Sequence, residues 1–179
     1  FPGAVVPHGL IQPSPDTRID GWDACSGYYY ADSTMNGFSQ NHLSGTGCAD
    51  FGDFLIMPTV GEQVCDPQDF TSQSLPFASG FSHKNEVAEP GYYSVLLDRY
   101  NVKAEITSTA RAAIYRFTYP DAEDAGLILD LDYSVQHQTN REMRVEAVSD
   151  TEIKAYKLSL YWASDQQASF YAKFSEPFT

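Results

Sequence analysis

The chain has 179 residues, 42% hydrophobic and 20% charged, the balance of a folded domain long enough to bury its own core. Eleven Lys and Arg stand against 24 Asp and Glu, a formal net charge of −13, and a surface of that sign repels phosphate backbones and anionic lipid. No apolar run approaches the roughly 20 residues of a membrane-spanning helix, so nucleic-acid partners and membrane insertion are both argued against.

The chain opens Phe1-Pro2-Gly3 without an initiator Met or a charged-then-apolar leader, which leaves a removed leader or a piece of a longer protein as the expectations. Residues 1–91 are rich in Gly, Pro, Ser and Asp, with short apolar stretches between turn signals. Within them, Phe54–Met57 is a continuous apolar run that predicts a buried strand stopped by Pro58. Val87–Leu97 comes nearest to a helical stripe but is broken by Pro90-Gly91, so Gly91–Leu97 reads as a strand. From there the period is two. Val102, Ala104 and Ile106 alternate with Lys103, Glu105 and Thr107, and Tyr115, Phe117 and Tyr119 oppose Ile114. Leu127–Leu131 follows a polar loop, and Met143, Val145 and Ala147 alternate with Arg144 and Glu146. Ser149-Asp150 predicts a tight turn into Thr151–Ala163, where Tyr156, Leu158, Leu160 and Trp162 share a face, and Phe170, Ala172 and Phe174 close the series. Many short strands with turn signals between them predict an all-β chain, an antiparallel β-sandwich with the long loops of the first half over one side.

Three cysteines, Cys25, Cys48 and Cys65, form no C-x-x-C pair, so neither a disulfide scaffold nor a strong zinc signature is present. The densest polar segment is 37–53, where Gly45 and Gly47 free the backbone to turn N–H groups toward a bound group, although a structural loop explains the same glycines. His42 and Cys48 are a weak metal or nucleophile pair. Asp130 and Asp132, two apart, would point to one face of a strand as the paired carboxylates of glycoside hydrolysis do, against the plainer reading of a solvated pair. His83 reads as a capping or core histidine. The loop-borne Trp22 and Tyr28-Tyr29-Tyr30 could present apolar faces with polar edges to a sugar ring.

Several separated strings occur in one order: Phe1-Pro2-Gly3-Ala4 with Pro7-His8-Gly9, Ser14-Pro15-Asp16-Thr17, and Gly37-Phe38-Ser39 through His42-Leu43-Ser44-Gly45-Thr46-Gly47-Cys48. Asp50-Phe51-Gly52-Asp53, Met57-Pro58-Thr59, Phe81-Ser82-His83, Glu89-Pro90-Gly91-Tyr92-Tyr93, Trp162-Ala163 and Phe174–Phe178 follow. By these the chain resembles the N-terminal domain of glycoside hydrolase family 92, the calcium-dependent exo-α-mannosidases.

The resemblance implies a β-sandwich of the galactose-mutarotase, supersandwich-like kind over residues 1–179. This would be followed in the full enzyme by an (α/α)₆ helical domain that carries the catalytic acids and most of the calcium site and is absent from this chain. It implies inverting hydrolysis of terminal α-linked mannose at a site between the two domains, mannose-bearing glycans as substrate, and export to the periplasm or the cell exterior. Carried over by motif, Gly47 and Cys48 would line the sugar pocket, with His8, Gln40 and His42 beside it. Family members usually have Phe where His8 stands and His or Arg where Gln40 stands, so substrate preference turns on these positions. This chain alone is expected to be inactive and to hold no metal. The rival readings are a stand-alone lectin-like carbohydrate-binding module and an autonomous hydrolase using Asp130 and Asp132.

Overall fold

A computed structural model of the protein describes residues 1–43, 49–63, 73–121, 123–136 and 138–179. Among these residues there are thirteen strands, two short 3-10 turns and no α-helix. The strands are β1 (Ser14–Asp16), β2 (Thr34–Met35), β3 (Gly37–Ser39), β4 (Leu55–Val60), β5 (Ser79–Gly80), β6 (Val87–Glu89), β7 (Tyr92–Leu97), β8 (Val102–Ser108), β9 (Ala113–Thr118), β10 (Ala125–Asp130), β11 (Thr139–Ala147), β12 (Glu152–Leu160) and β13 (Gln166–Lys173). All pairings are antiparallel. The chain divides into two compact units, residues 1–137 and 138–179.

The first unit holds two four-stranded sheets, in the orders β1-β3-β4-β10 and β6-β7-β8-β9, and a separate two-stranded sheet, β2-β5. One core draws on both. Phe38, Leu55 and Met57 come from the first sheet, and Tyr93, Val95, Leu97, Val102, Ala104 and Ile106 from the second. Phe38 and Tyr93 meet edge to face at 6.3 Å. The period of two does this directly: Leu97, Val95 and Tyr93 stand opposite Val102, Ala104 and Ile106 in register, so all six turn to the same side. Burying each such aliphatic side chain is worth about 1.5–3 kcal/mol. Two antiparallel sheets on one core make the expected β-sandwich.

Three local expectations need correcting. Pro58 does not stop its strand; β4 runs through it to Val60, paired to β10 by Leu127 opposite Pro58. Proline is tolerated because β3 pairs with β4 only at Phe38–Ile56, so the side facing away from β10 is free to lack an N–H. Asp130 and Asp132 do not share a strand face. β10 ends at Asp130, whose Oδ1 accepts the backbone N–H groups of Asp132 (2.9 Å) and Tyr133 (3.0 Å) and so closes a turn. Trp162 lies past the end of β12 and is 67% exposed, apart from the strand face of Tyr156, Leu158 and Leu160.

The second unit is the sheet β11-β12-β13. The tight turn at Ser149-Asp150 is present, with the Val148 N–H donated to the Glu152 carbonyl at 2.7 Å. On the β12 side opposite Tyr156, Leu158 and Leu160, the residues Ala155, Lys157 and Ser159 are buried.

Candidate functional site at the base of the 37–53 segment

The segment singled out by composition leaves the first sheet at Ser39 and returns toward β4 at Phe54. Its two limbs are tied together at the base. The Gln40 N–H donates to the Asp53 carbonyl (3.1 Å) and the Gly52 N–H to the Asn41 carbonyl (3.0 Å), and His42 bridges Phe51. Side chains double these bonds, for Asn41 Nδ2 donates to Asp53 Oδ2 at 2.8 Å and the Asp53 N–H donates to Asn41 Oδ1 at 2.7 Å. Phe51 and Phe54 both adopt positive φ (67° and 59°), with Gly52 between them at 81°. Non-glycine residues take that conformation only where surrounding contacts enforce it.

Beneath this base lies a buried polar cluster. His42 Nδ1 faces the Gln12 carbonyl at 2.7 Å, and a carbonyl only accepts, so Nδ1 carries a hydrogen. Nε2 lies 2.7 Å from Asp16 Oδ1 and 2.9 Å from Ser39 Oγ. Two lone pairs would repel at 2.7 Å, so a proton sits between His42 and Asp16. Both side chains are essentially sealed from solvent, 1% and 0% exposed. The Tyr133 hydroxyl faces the same carboxylate. Its burial, then the Asp16 charge, raise its pKa well above the usual tyrosine value, so it stays neutral. Gly27 closes the cluster at φ +83°, where a Cβ would run into the Asp16 carboxylate.

The residues named from sequence fall into three positions. His8 sits on an exposed turn at φ 59°, with the Gly9 N–H donated to the Val6 carbonyl. Gln40 and His42 are brought together by Gln12, whose N–H donates to the Gln40 carbonyl and whose side-chain oxygen accepts the His42 N–H. Neither is displayed as a free polar arm. The Gln40 amide donates to the Phe38 and Phe54 carbonyls at 3.1 and 3.2 Å and accepts the Tyr115 hydroxyl at 2.7 Å. His42 has both ring nitrogens engaged. Gly47, Cys48 and Cys65 lie outside the described residues. Among the described residues, no group of three or more His, Cys, Asp or Glu side chains is placed to hold a metal ion.

Sequence reasoning passed over Asp16, Ser39, Asn41, Asp53 and Tyr133 as site residues. Four of them stand inside the motif strings, and polar residues in strings that also carry glycines are the signal that could have marked them.

A family model described as the glycosyl hydrolase family 92 N-terminal domain matches residues 1–179. The structure is similar to that of the family GH92 α-mannosidase BT3965 from Bacteroides thetaiotaomicron, solved with mannoimidazole. The two are 41% identical with a TM-score of 0.91, over 100% of this chain and 23% of that one. The inverting GH92 mannosidase BT2199 of the same organism is 27% identical with a TM-score of 0.68, over 87% of this chain and 19% of that one. A secreted glycosidase of Arthroderma benhamiae, itself uncharacterized, is 33% identical over 132 residues, 70% of this chain and 16% of its own length. The chain thus spans about a quarter or less of the proteins it matches.

Proposed function

This chain belongs to glycosyl hydrolase family 92, as its N-terminal domain, and from that premise we propose that it serves an exo-acting α-mannosidase that removes terminal α-linked mannose from glycans. The observation that carries the reading is the TM-score of 0.91 at 41% identity, over the whole chain, to an α-mannosidase solved in complex with mannoimidazole. In this reading the active site is completed by a helical domain of the same longer polypeptide, and hydrolysis inverts the anomeric configuration, as the name of BT2199 says of that enzyme. Inversion needs a carboxylic acid and a carboxylate about 6.5–9.5 Å apart to admit water. Asp130 and Asp132 do not offer that pair, since Asp130 is occupied in closing its turn. We assign the acid and base to the other domain.

The contribution of this domain is positional. The doubled Asn41–Asp53 bonds and the buried Asp16–His42 pair hold together the two described limbs on either side of Gly47 and Cys48, and in this reading those two residues line the mannose pocket. His8 is free to reach a ligand from its turn, whereas Gln40 and His42 act as supports. In this reading the calcium that the family resemblance implies is bound mainly by the other domain, which supplies the oxygen ligands such an ion takes. Export agrees with the secreted relative.

The test is mannose release from α-linked mannobiosides by the longer polypeptide and by residues 1–179, each with calcium and with a chelator. Release by the longer polypeptide alone supports the reading. Turnover by residues 1–179 would place the acid and base within them, and tight mannose binding without turnover in either protein would make this a carbohydrate-binding module.

A further inference from the structure

One amide clasps the two limbs of the 37–53 segment. Gln40 Nε2 donates to the carbonyl of Phe38, on β3 where the segment departs, at 3.1 Å, and to that of Phe54, just before β4 where it returns, at 3.2 Å. Its Oε1 accepts the Tyr115 hydroxyl at 2.7 Å. An amide nitrogen has two hydrogens and no free lone pair, so this set of partners uses the group fully and in one orientation. Turned over, Gln40 Oε1 would face two carbonyl oxygens, neither of which can donate. The Gln40 side chain, which the resemblance places beside the sugar, is therefore spent on its own backbone.

The orientation is imposed from the other sheet. Tyr115 stands on β9, 75 residues later in the chain, with its ring packed against the core and 5.9 Å from that of Phe117. Burial raises its pKa above the ordinary tyrosine value of 10, so at neutral pH the hydroxyl keeps the hydrogen that it donates. What the amide holds in turn is strained. Phe54 is buried at φ 59°, a conformation that a non-glycine residue keeps only where its contacts over-determine it. Without the Tyr115 hydroxyl the amide oxygen is left without its donor, and the amide gains by turning toward water and releasing the Phe54 carbonyl.

We propose that Tyr115 is a positioning residue for mannose release, acting through Gln40 to set the two described limbs on either side of Gly47 and Cys48. The inference deepens the proposed mannosidase function and rests on it. Tyr115 itself touches no substrate in this reading. Where a limb aligns a substrate with an acid and a base, a displacement of about 1 Å is enough to cost about a hundredfold in rate. The cost falls on kcat, because the chemical step depends on alignment more than sugar binding does.

Tyr119 supplies the control. Its hydroxyl donates to the Gly126 carbonyl at the same 2.7 Å, and Gly126 stands opposite Thr59, toward the far end of β4 from Phe54. Tyr115→Phe and Tyr119→Phe are made separately in the longer polypeptide, and kcat and KM with an α-linked mannobioside are measured beside the urea midpoint. Tyr115→Phe is expected to lower kcat about tenfold or more with KM within about twofold, and Tyr119→Phe to keep both near the parental values at a similar loss of midpoint. Equal kinetics in the two variants, or a loss of rate that only follows the midpoint, would overturn the proposal. Hydrogen exchange of the Gly52 and Asp53 backbone amides, followed by mass spectrometry, separates it from the enzymatic reading, for exchange there is expected to quicken in Tyr115→Phe alone. A parent that releases no mannose while its Tyr115→Phe variant quickens exchange defeats the enzymatic reading and leaves Tyr115 setting the limbs; unchanged exchange defeats the proposal. Should Tyr115→Phe fail to fold, Gln40→Met, which removes the clasp from its other side, carries the same comparison.

Discussion

His83 is bound through both ring nitrogens to groups that accept: Nδ1 lies 2.5 Å from Glu86 Oε2, and Nε2 lies 2.7 Å from the Tyr30 carbonyl. The Tyr30 ring stacks on the imidazole at 4.2 Å, and Glu86 also receives the hydroxyls of Tyr28 and Tyr93. The clasp therefore ties the Tyr28–Tyr30 stretch to the 3-10 turn at His83–Asn85 and to β7. The Glu86 hydrogen bond raises the His83 pKa above its ordinary 6.5. A raised histidine stabilises the fold fully below the unfolded value of 6.5 and loses that contribution as pH climbs through the higher folded value. Urea midpoints are expected to fall above about pH 6.5 in the parent protein and to fall less steeply in His83→Gln. Identical profiles would show that the clasp does not need the proton.

Glu105 governs the acid side. On the outward side of β8 it accepts Arg116 Nε at 2.9 Å and the Tyr92 hydroxyl at 2.8 Å. The Arg116 hydrogen bond, then that from Tyr92, pull its pKa down to about 2. A lowered carboxylate stabilises above its unfolded value of 4.5 and loses that contribution as pH falls toward 2. Acid titration followed by circular dichroism is expected to show a gentler loss of stability between these values in Glu105→Gln than in the parent. A parallel loss would assign acid unfolding elsewhere.

Breaking the buried pair from one side is costly because the remaining partner keeps its desolvation penalty. Asp16→Ala and His42→Ala are each expected to lose about 3–5 kcal/mol by urea denaturation, and the double variant less than the sum. Full additivity would mean that the 2.7 Å contact contributes nothing of its own.

Gly27 combines φ +83° with a position where any Cβ meets the Asp16 carboxylate. Gly27→Ala is expected to cost about 1–3 kcal/mol. Gly61→Ala, at φ +71° with open space around it, should cost only the backbone strain of about 1 kcal/mol and is the control.

At the end of β10, Asn keeps the oxygen that accepts the Asp132 and Tyr133 N–H groups. Asp130→Asn is therefore expected to leave stability within about 0.5 kcal/mol and mannose release by the longer polypeptide unchanged. Loss of activity with an intact fold would make Asp130 part of the chemistry.

Alternation determined most of the strands from Val102 to Lys173, since Val102, Ala104 and Ile106 or Met143, Val145 and Ala147 reveal their period without knowledge of any partner. The family was legible in the same way, from strings of residues in order. Where a side chain ends up was not, because that is set by groups far away in sequence. His42 reads as a ligand-facing histidine until Gln12 and Asp16 fold against it. Gln40 reads likewise until Tyr115, seventy-five residues on, donates to it. Pro58 reads as a stop until the sheet shows that β3 claims only one residue of β4. A strand's period is a property of its own backbone. The saturation of a buried donor or acceptor and the side of a strand that stays free belong to the pairing, and only the tertiary structure decides them.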